Sequence, residues 1–399
     1  MDSKSLMHSL QQSFSDERHI RIYNIYKELF TLHQIRSGAN DYFLPAVMNG
    51  RNAYDHMMRG MSAIFSTNER YGTDKNSREE YIRNTSKSAI LHLQRASYDL
   101  VDKLALDARE EYNACLRRTN LKTVYRRVPN FNECRESIFK YTRASEDMRM
   151  DKDAEDTNFE RLSNHIHLLK IMLNRIDLVV CTLTCKQRPK ITESREETPL
   201  ESRDISIEDV FNEDHVSLYN LYKRSMLHYE EQYMNSPIFV IIDGMTAYDR
   251  LMRIFTPVMG DLTVKKNIDH MMKNLTSGVL RILQASMSHC ILSLDELLRG
   301  FSKKTVVELI PDYPDMKSKL ESLEREIDER VRGSILTTSV KELKNYFEEV
   351  KTIEEWIYKI GPKMNTMCDY KTDGRKWATI SILIGAALSV IGGYALKYL

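Results

Sequence analysis

The chain has 399 residues, 58 of them basic and 57 acidic, for a formal net charge of +1. So even a balance excludes a global basic field for nucleic acid and describes an ordinary mixed surface. With 14 glycines and 9 prolines against abundant Leu, Met, Glu, Lys and Arg, the composition predicts an all-α protein.

In chain order, the first segment, MDSKSLMHSLQQSFSDERH, holds no long apolar run and does not read as a secretory signal. A helix is predicted from Asp16 to Ser37, with Ile22, Ile25, Tyr26, Leu29 and Leu32 on one side. A second runs from Leu44 to Phe65, Pro45 fitting its first turn. After a turn over 68–76, Ser77 and Glu80 have capping-box spacing and open a long helix to Arg118. Pro129 precedes a helix from Phe131 to Met150, and Thr157 with Glu160 gives another capping-box spacing for a helix to Cys185. Residues 186–204 are polar, carry two prolines and read as a linker.

The pattern then starts again. His19-x-x-x-Tyr-Asn-x-Tyr-Lys27 returns as His215-x-x-x-Tyr-Asn-x-Tyr-Lys223, and Gly50-x-x-Ala-Tyr-Asp-x-x-Met-Arg59 as Gly244-x-x-Ala-Tyr-Asp-x-x-Met-Arg253. Ser88 and Val128 find counterparts at Ser277 and Ile310. The order is kept while the offset falls from 196 to 182, as a tandem duplication with shortened loops requires. The expected architecture is two five-helix bundles, residues 1–185 and 205–370, with the last helix of the second stopping at Gly361-Pro362.

Residues 371–399 complete the chain. From Trp377 to Leu396 there is no charge over 20 residues, enough for a helix of about 30 Å, the thickness of a bilayer's hydrocarbon core. Lys371, Arg375 and Lys376 precede it and only Lys397 follows, which predicts a single-pass membrane anchor with the N-terminal body cytoplasmic. Gly385, Ser389 and Gly393 form one small-residue stripe on that helix, so a homodimer through the anchor is expected. The six cysteines then face a reducing compartment as free thiols, and Cys181 and Cys185, four residues apart, read as buried thiols rather than metal ligands. No CxxC, HExxH, P-loop, GxGxxG or GxSxG is present, and neither metal nor cofactor is expected.

Within the repeated motif, Asp55 and Arg59, like Asp249 and Arg253, have intrahelical ion-pair spacing. Tyr54 and Tyr248, with Tyr23, Tyr26, Tyr219 and Tyr222, are placed to hydrogen-bond those pairs, and close packing is expected at Gly50 and Gly244. The first reading is a polar cluster fixing how two helices meet, in a scaffold that binds a protein partner at a membrane.

Arg51-Asn52-x-x-x-His56 resembles the signature of the HEPN superfamily of helical ribonucleases. The resemblance implies a metal-independent site between two helical bundles, with His56 transferring protons, Arg51 stabilising phosphate charge, Asn52 supporting both, and RNA as partner. The second copy has Met245 and Arg250 at the positions of Arg51 and His56, so a site using both motifs would need a second chain.

Overall fold

The computed structural model describes residues 3–38, 41–66, 68–148, 152, 158–185, 212–255, 263–333 and 338–370. Among these the fold is all-α, with thirteen α-helices and no strand. They are α1 (Ser3–Phe14), α2 (Glu17–Ser37), α3 (Leu44–Phe65), α4 (Lys75–Arg117), α5 (Leu121–Arg127), α6 (Phe131–Met148), α7 (Phe159–Thr184), α8 (Glu213–Tyr233), α9 (Ile238–Phe255), α10 (Val264–Leu298), α11 (Lys303–Leu309), α12 (Tyr313–Arg332) and α13 (Val340–Tyr370). The chain divides into two units, residues 1–211 with 251–264 and residues 212–250 with 265–399.

In the first unit the 43-residue α4 is the spine against which α1, α2, α3 and α7 pack. The helix α1 was not expected from the sequence. Leu6, Leu10 and Phe14, spaced four apart, are all buried and make its inner stripe. Buried Arg78 ties the α3–α4 connection, donating to the carbonyls of Ala63, Ser66 and Gly72 at 2.7, 2.6 and 3.1 Å. Those three bonds satisfy backbone groups at a place where no helix ladder continues.

Helix starts differ from two sequence expectations. The α4 cap is Asp74, whose carboxylate accepts from Ser77 N at 2.9 Å, so Ser77 lies inside the first turn. The α7 cap is Asn158, accepting from Arg161 N at 3.0 Å, in place of Thr157. In both, an Asp or Asn oxygen, among the strongest helix caps, takes the free N–H groups one to three residues from the expected Ser or Thr. A short helix also lies before each of α6 and α12, so each half has six helices in the repeated order rather than five. Finally, α13 runs through Pro362 to Tyr370 instead of stopping there. Proline costs one ladder bond but need not end a helix.

The order α2 to α7 is answered by α8 to α13, with lengths of 21, 22, 43, 7, 18 and 26 residues against 21, 18, 35, 7, 20 and 31. Buried positions keep step as well. Leu162, Ile166, Leu169, Met172, Ile176 and Val179 of α7 match Leu343, Phe347, Val350, Ile353, Ile357 and Ile360 of α13 at a constant offset of 181. Val124 and Val128 match Val306 and Ile310 at 182, each pair closing its short helix with an N–H to the earlier residue's carbonyl at 2.9 and 2.8 Å.

No described helix is long and apolar enough to cross a membrane. The expected anchor with Gly385, Ser389 and Gly393, and the linker 186–204, lie outside the described residues.

Candidate functional site

Helix α3 carries Arg51, Asn52 and His56, all half-buried. Five residues at 100° each set Arg51 and His56 about 140° apart on one helix, so they do not share a face. The Arg51 guanidinium lies 3.8 Å from Met48 Sδ. The ring of His56 stacks on His92 of α4, with centroids 5.2 Å apart and planes 25° apart. His92 Nδ1 is 3.0 Å from Asn49 Oδ1, and Asn49 donates to Asp99 at 3.2 Å. Asp99 in turn holds the Lys152 ammonium, while Gln94 donates to the Lys152 carbonyl at 3.1 Å. Burial, helped by Arg95, lowers the His92 pKa below its ordinary value. The seam is therefore a row of imidazoles and amides ending in an ion pair. His92 was invisible to motif reasoning, being 36 positions from His56 with nothing local to single it out.

The repeated residues are used inside the fold. Asp55 and Arg59 pair at 2.5 Å as their spacing predicts. His19 and His215 both stand third in their helix. The His19 ring is 3.4 Å from the Ser13 carbonyl, and His215 Nδ1 accepts from Asn212 N at 3.3 Å while Asn212 Oδ1 accepts from His215 N at 3.1 Å. The Tyr222 hydroxyl donates to the Val240 carbonyl at 2.8 Å, and its ring lies between Gly244 of α9 and Gly278 of α10. Tyr26, at the same position in the first copy, has no hydrogen-bond partner for its hydroxyl among the described residues.

Buried His19, and His165 against Tyr141 in α6, are both pushed down to about 4 by desolvation. Their folded pKa lies below the ordinary 6.5, so the unfolded chain takes the protons first. The stability they leave intact above pH 6.5 is eroded as pH falls towards 4. Thermal unfolding between pH 7 and 4 is expected to show a falling midpoint for the first unit, with a shallower slope in His165→Phe; identical slopes would contradict it.

The second unit holds a polar network that sequence reasoning missed. Glu354 of α13 accepts from Tyr233 at 2.7 Å and meets His228 Nε2 at 2.5 Å, both on α8. On α10, His289 stacks on Tyr233 at 4.3 Å and is 3.0 Å from the Tyr229 hydroxyl. Cys290 beside it is pushed up to about 12 by burial, which makes it a poor nucleophile. In the first copy the matching positions are apolar: Leu32 for His228, Leu100 for His289, Val101 for Cys290, Leu173 for Glu354, all buried.

A cleft of about 540 Å³ opens in the same unit between the start of α9, the middle of α10 and α12. Arg281 on its wall pairs with Asp243 at 3.2 Å, the positions held in the first copy by His92 and Asn49. Burial raises the Asp243 carboxyl to about 6 despite that guanidinium. Among the described residues no group of three His, Cys, Asp or Glu can hold a metal ion. Cys185 is exposed, contrary to the expected buried thiol, because it forms the left-handed cap of α7 at φ 58° and lies past the helix's apolar stripe. No family model, curated protein or solved structure matches the chain.

Proposed function

We propose that this is a membrane-anchored, cytosol-facing interaction protein built as two tandem copies of one helical bundle. The observation that carries the reading is how the two copies use what they share. The histidine third in its helix is spent at the helix start, Asp55 and Arg59 pair along one helix, and Tyr222 is held in a glycine slot. What duplication retained is a frame, and a frame leaves its open surfaces for partners. The apolar stretch from Trp377 to Leu396 supplies the anchor, and Gly385, Ser389 and Gly393 its dimer face.

Deleting residues 375–399 is expected to move the protein from the membrane pellet to the soluble fraction. A truncated protein that still sediments after a high-salt wash would sink the single-anchor topology.

A second reading, a HEPN-like metal-independent endoribonuclease, is favoured by one contact. His56 stacks on a second imidazole, His92, and a pair of histidines can serve as proton donor and acceptor. Induced expression of the wild type is expected to leave the cellular RNA pool intact. RNA cleavage that disappears in both Arg51→Ala and His56→Ala would overturn the interaction reading in favour of the nuclease.

A further inference from the structure

One wall position of the cleft in the second unit corresponds to a position that, in the first copy, binds a lysine of the chain itself. There, Asp99 on α4 binds the ammonium of Lys152, a residue between α6 and α7. Position 99 corresponds to Ser288, and Ser288 lines the cleft. The connection from α12 to α13 joins Arg332 to Val340, shorter in sequence than the one from Met148 to Phe159.

The acid has moved rather than vanished. Glu324 and Asp328, one turn apart on α12, both face the cleft. Asp328 accepts from Gln284 at 2.7 Å and lies 3.5 Å from the exposed Arg332. Glu324 is half-buried and has no ion-pair partner among the described residues. Arg281 does not cancel it, since that guanidinium is already set against Asp243. Met287 and Ile327 supply apolar lining, and the ring of Phe239, 66% exposed, stands beside them. A carboxylate, an apolar passage and an exposed aromatic face together suit a long cationic side chain, whose methylene stem covers apolar surface while its head reaches the acid and the ring.

We propose that this cleft receives a lysine side chain of a partner protein, in the role that Lys152 plays inside the first copy. The proposal rests on the interaction reading and names the chemistry of its partner. A lysine so placed gains Glu324 and loses little hydration, because the cleft remains open on one side.

The test is a titration of the full-length protein in lipid nanodiscs, with the methionine methyl groups labelled with carbon-13 and Met287 assigned by Met287→Leu. The probes are acetyl-Ala-Lys-Ala-amide and the same peptide with norleucine for lysine. The lysine peptide is expected to shift the Met287 methyl saturably, and norleucine to shift it little. In Glu324→Gln, which removes a charge from a side chain with no ion-pair partner among the described residues, affinity is expected to fall about tenfold. Glu324→Arg is expected to abolish the shift. Equal shifts with both peptides, unchanged affinity in Glu324→Gln, or no shift at all would each overturn the lysine assignment. Those outcomes leave the interaction reading standing on its RNA assay, while RNA cleavage by the wild type would remove that reading without touching the Met287 result.

Discussion

Glu354→Ala is expected to destabilise the second unit by about 3–5 kcal/mol, the cost of stripping one partner from a buried ionic hydrogen-bonded group. The Glu354 and His228 side chains are only 10% and 18% exposed, so solvent cannot take over. Removing the carboxylate leaves His228 Nε2 and the Tyr233 hydroxyl without the acceptor that both now use. The measurement is hydrogen exchange resolved by peptide. Protection should fall in α8 and α13, with α2 to α4 of the same molecule as an internal control. Unchanged protection in α13 would refute the role given to the network. The first copy also prescribes a rescue. Glu354→Leu with His228→Leu installs the pair found at positions 173 and 32, and Tyr233→Phe removes the remaining donor. That triple variant is expected to regain most of the lost stability, since well-packed apolar groups of similar volume replace buried ion pairs at little cost. An α13 offered to the leucines of the first copy would bury Glu354 without a partner.

The amount legible in the sequence follows from how far apart the interacting residues lie. The all-α fold was legible because composition and 3.6-residue periodicity are local properties, and the bounds of α2 and α3 followed from Asp16, Gly38 and Pro45. The Asp55–Arg59 pair was legible for the same reason, four residues on one helix. Helix α1 was missed because Leu6, Leu10 and Phe14 sit among polar residues and gain their burial from tertiary packing, largely against α4. The two seven-residue helices each expose one buried valine to pattern reading, too little for a period to register. Neither His92 beside His56 nor Glu354 between His228 and Tyr233 carries a local signature. Each alone is a polar residue on a helix, and only the crossing of distant helices makes it a site. The repeat itself carries the signal: positions 228, 289 and 354 are ionisable where the first copy has buried leucines.

The other large effect is expected at the slot that holds Tyr222. A Cβ added to Gly244 would stand 2.5 Å from the Tyr222 hydroxyl oxygen, and one added to Gly278 would stand 2.7 Å from Cε2 on the same ring. Both distances are below any tolerable contact, and the two glycines come from different helices, so the ring cannot retreat from one without meeting the other. Alanine returns about 1 kcal/mol of helix propensity at each site, against overpacking that costs about 1–3 kcal/mol and a broken hydrogen bond to Val240 worth about 1 kcal/mol. The clash wins, and Gly244→Ala is expected to lower stability by about 1–3 kcal/mol. The first copy shows what relief looks like. It has Ala89 at the position of Gly278, and its Tyr26 hydroxyl finds no hydrogen-bond partner among the described residues. Glycine at 278 is thus what lets Tyr222 sit deep enough to reach the Val240 carbonyl. A double-mutant cycle separates this from a generic loss of helix packing. In Tyr222→Phe the atom nearest the new methyl is gone, and the closest remaining approach is 3.0 Å. Gly244→Ala should therefore cost at least about 1 kcal/mol less in that background than in the wild type. Equal costs in the two backgrounds would mean that the hydroxyl is not what the glycine makes room for.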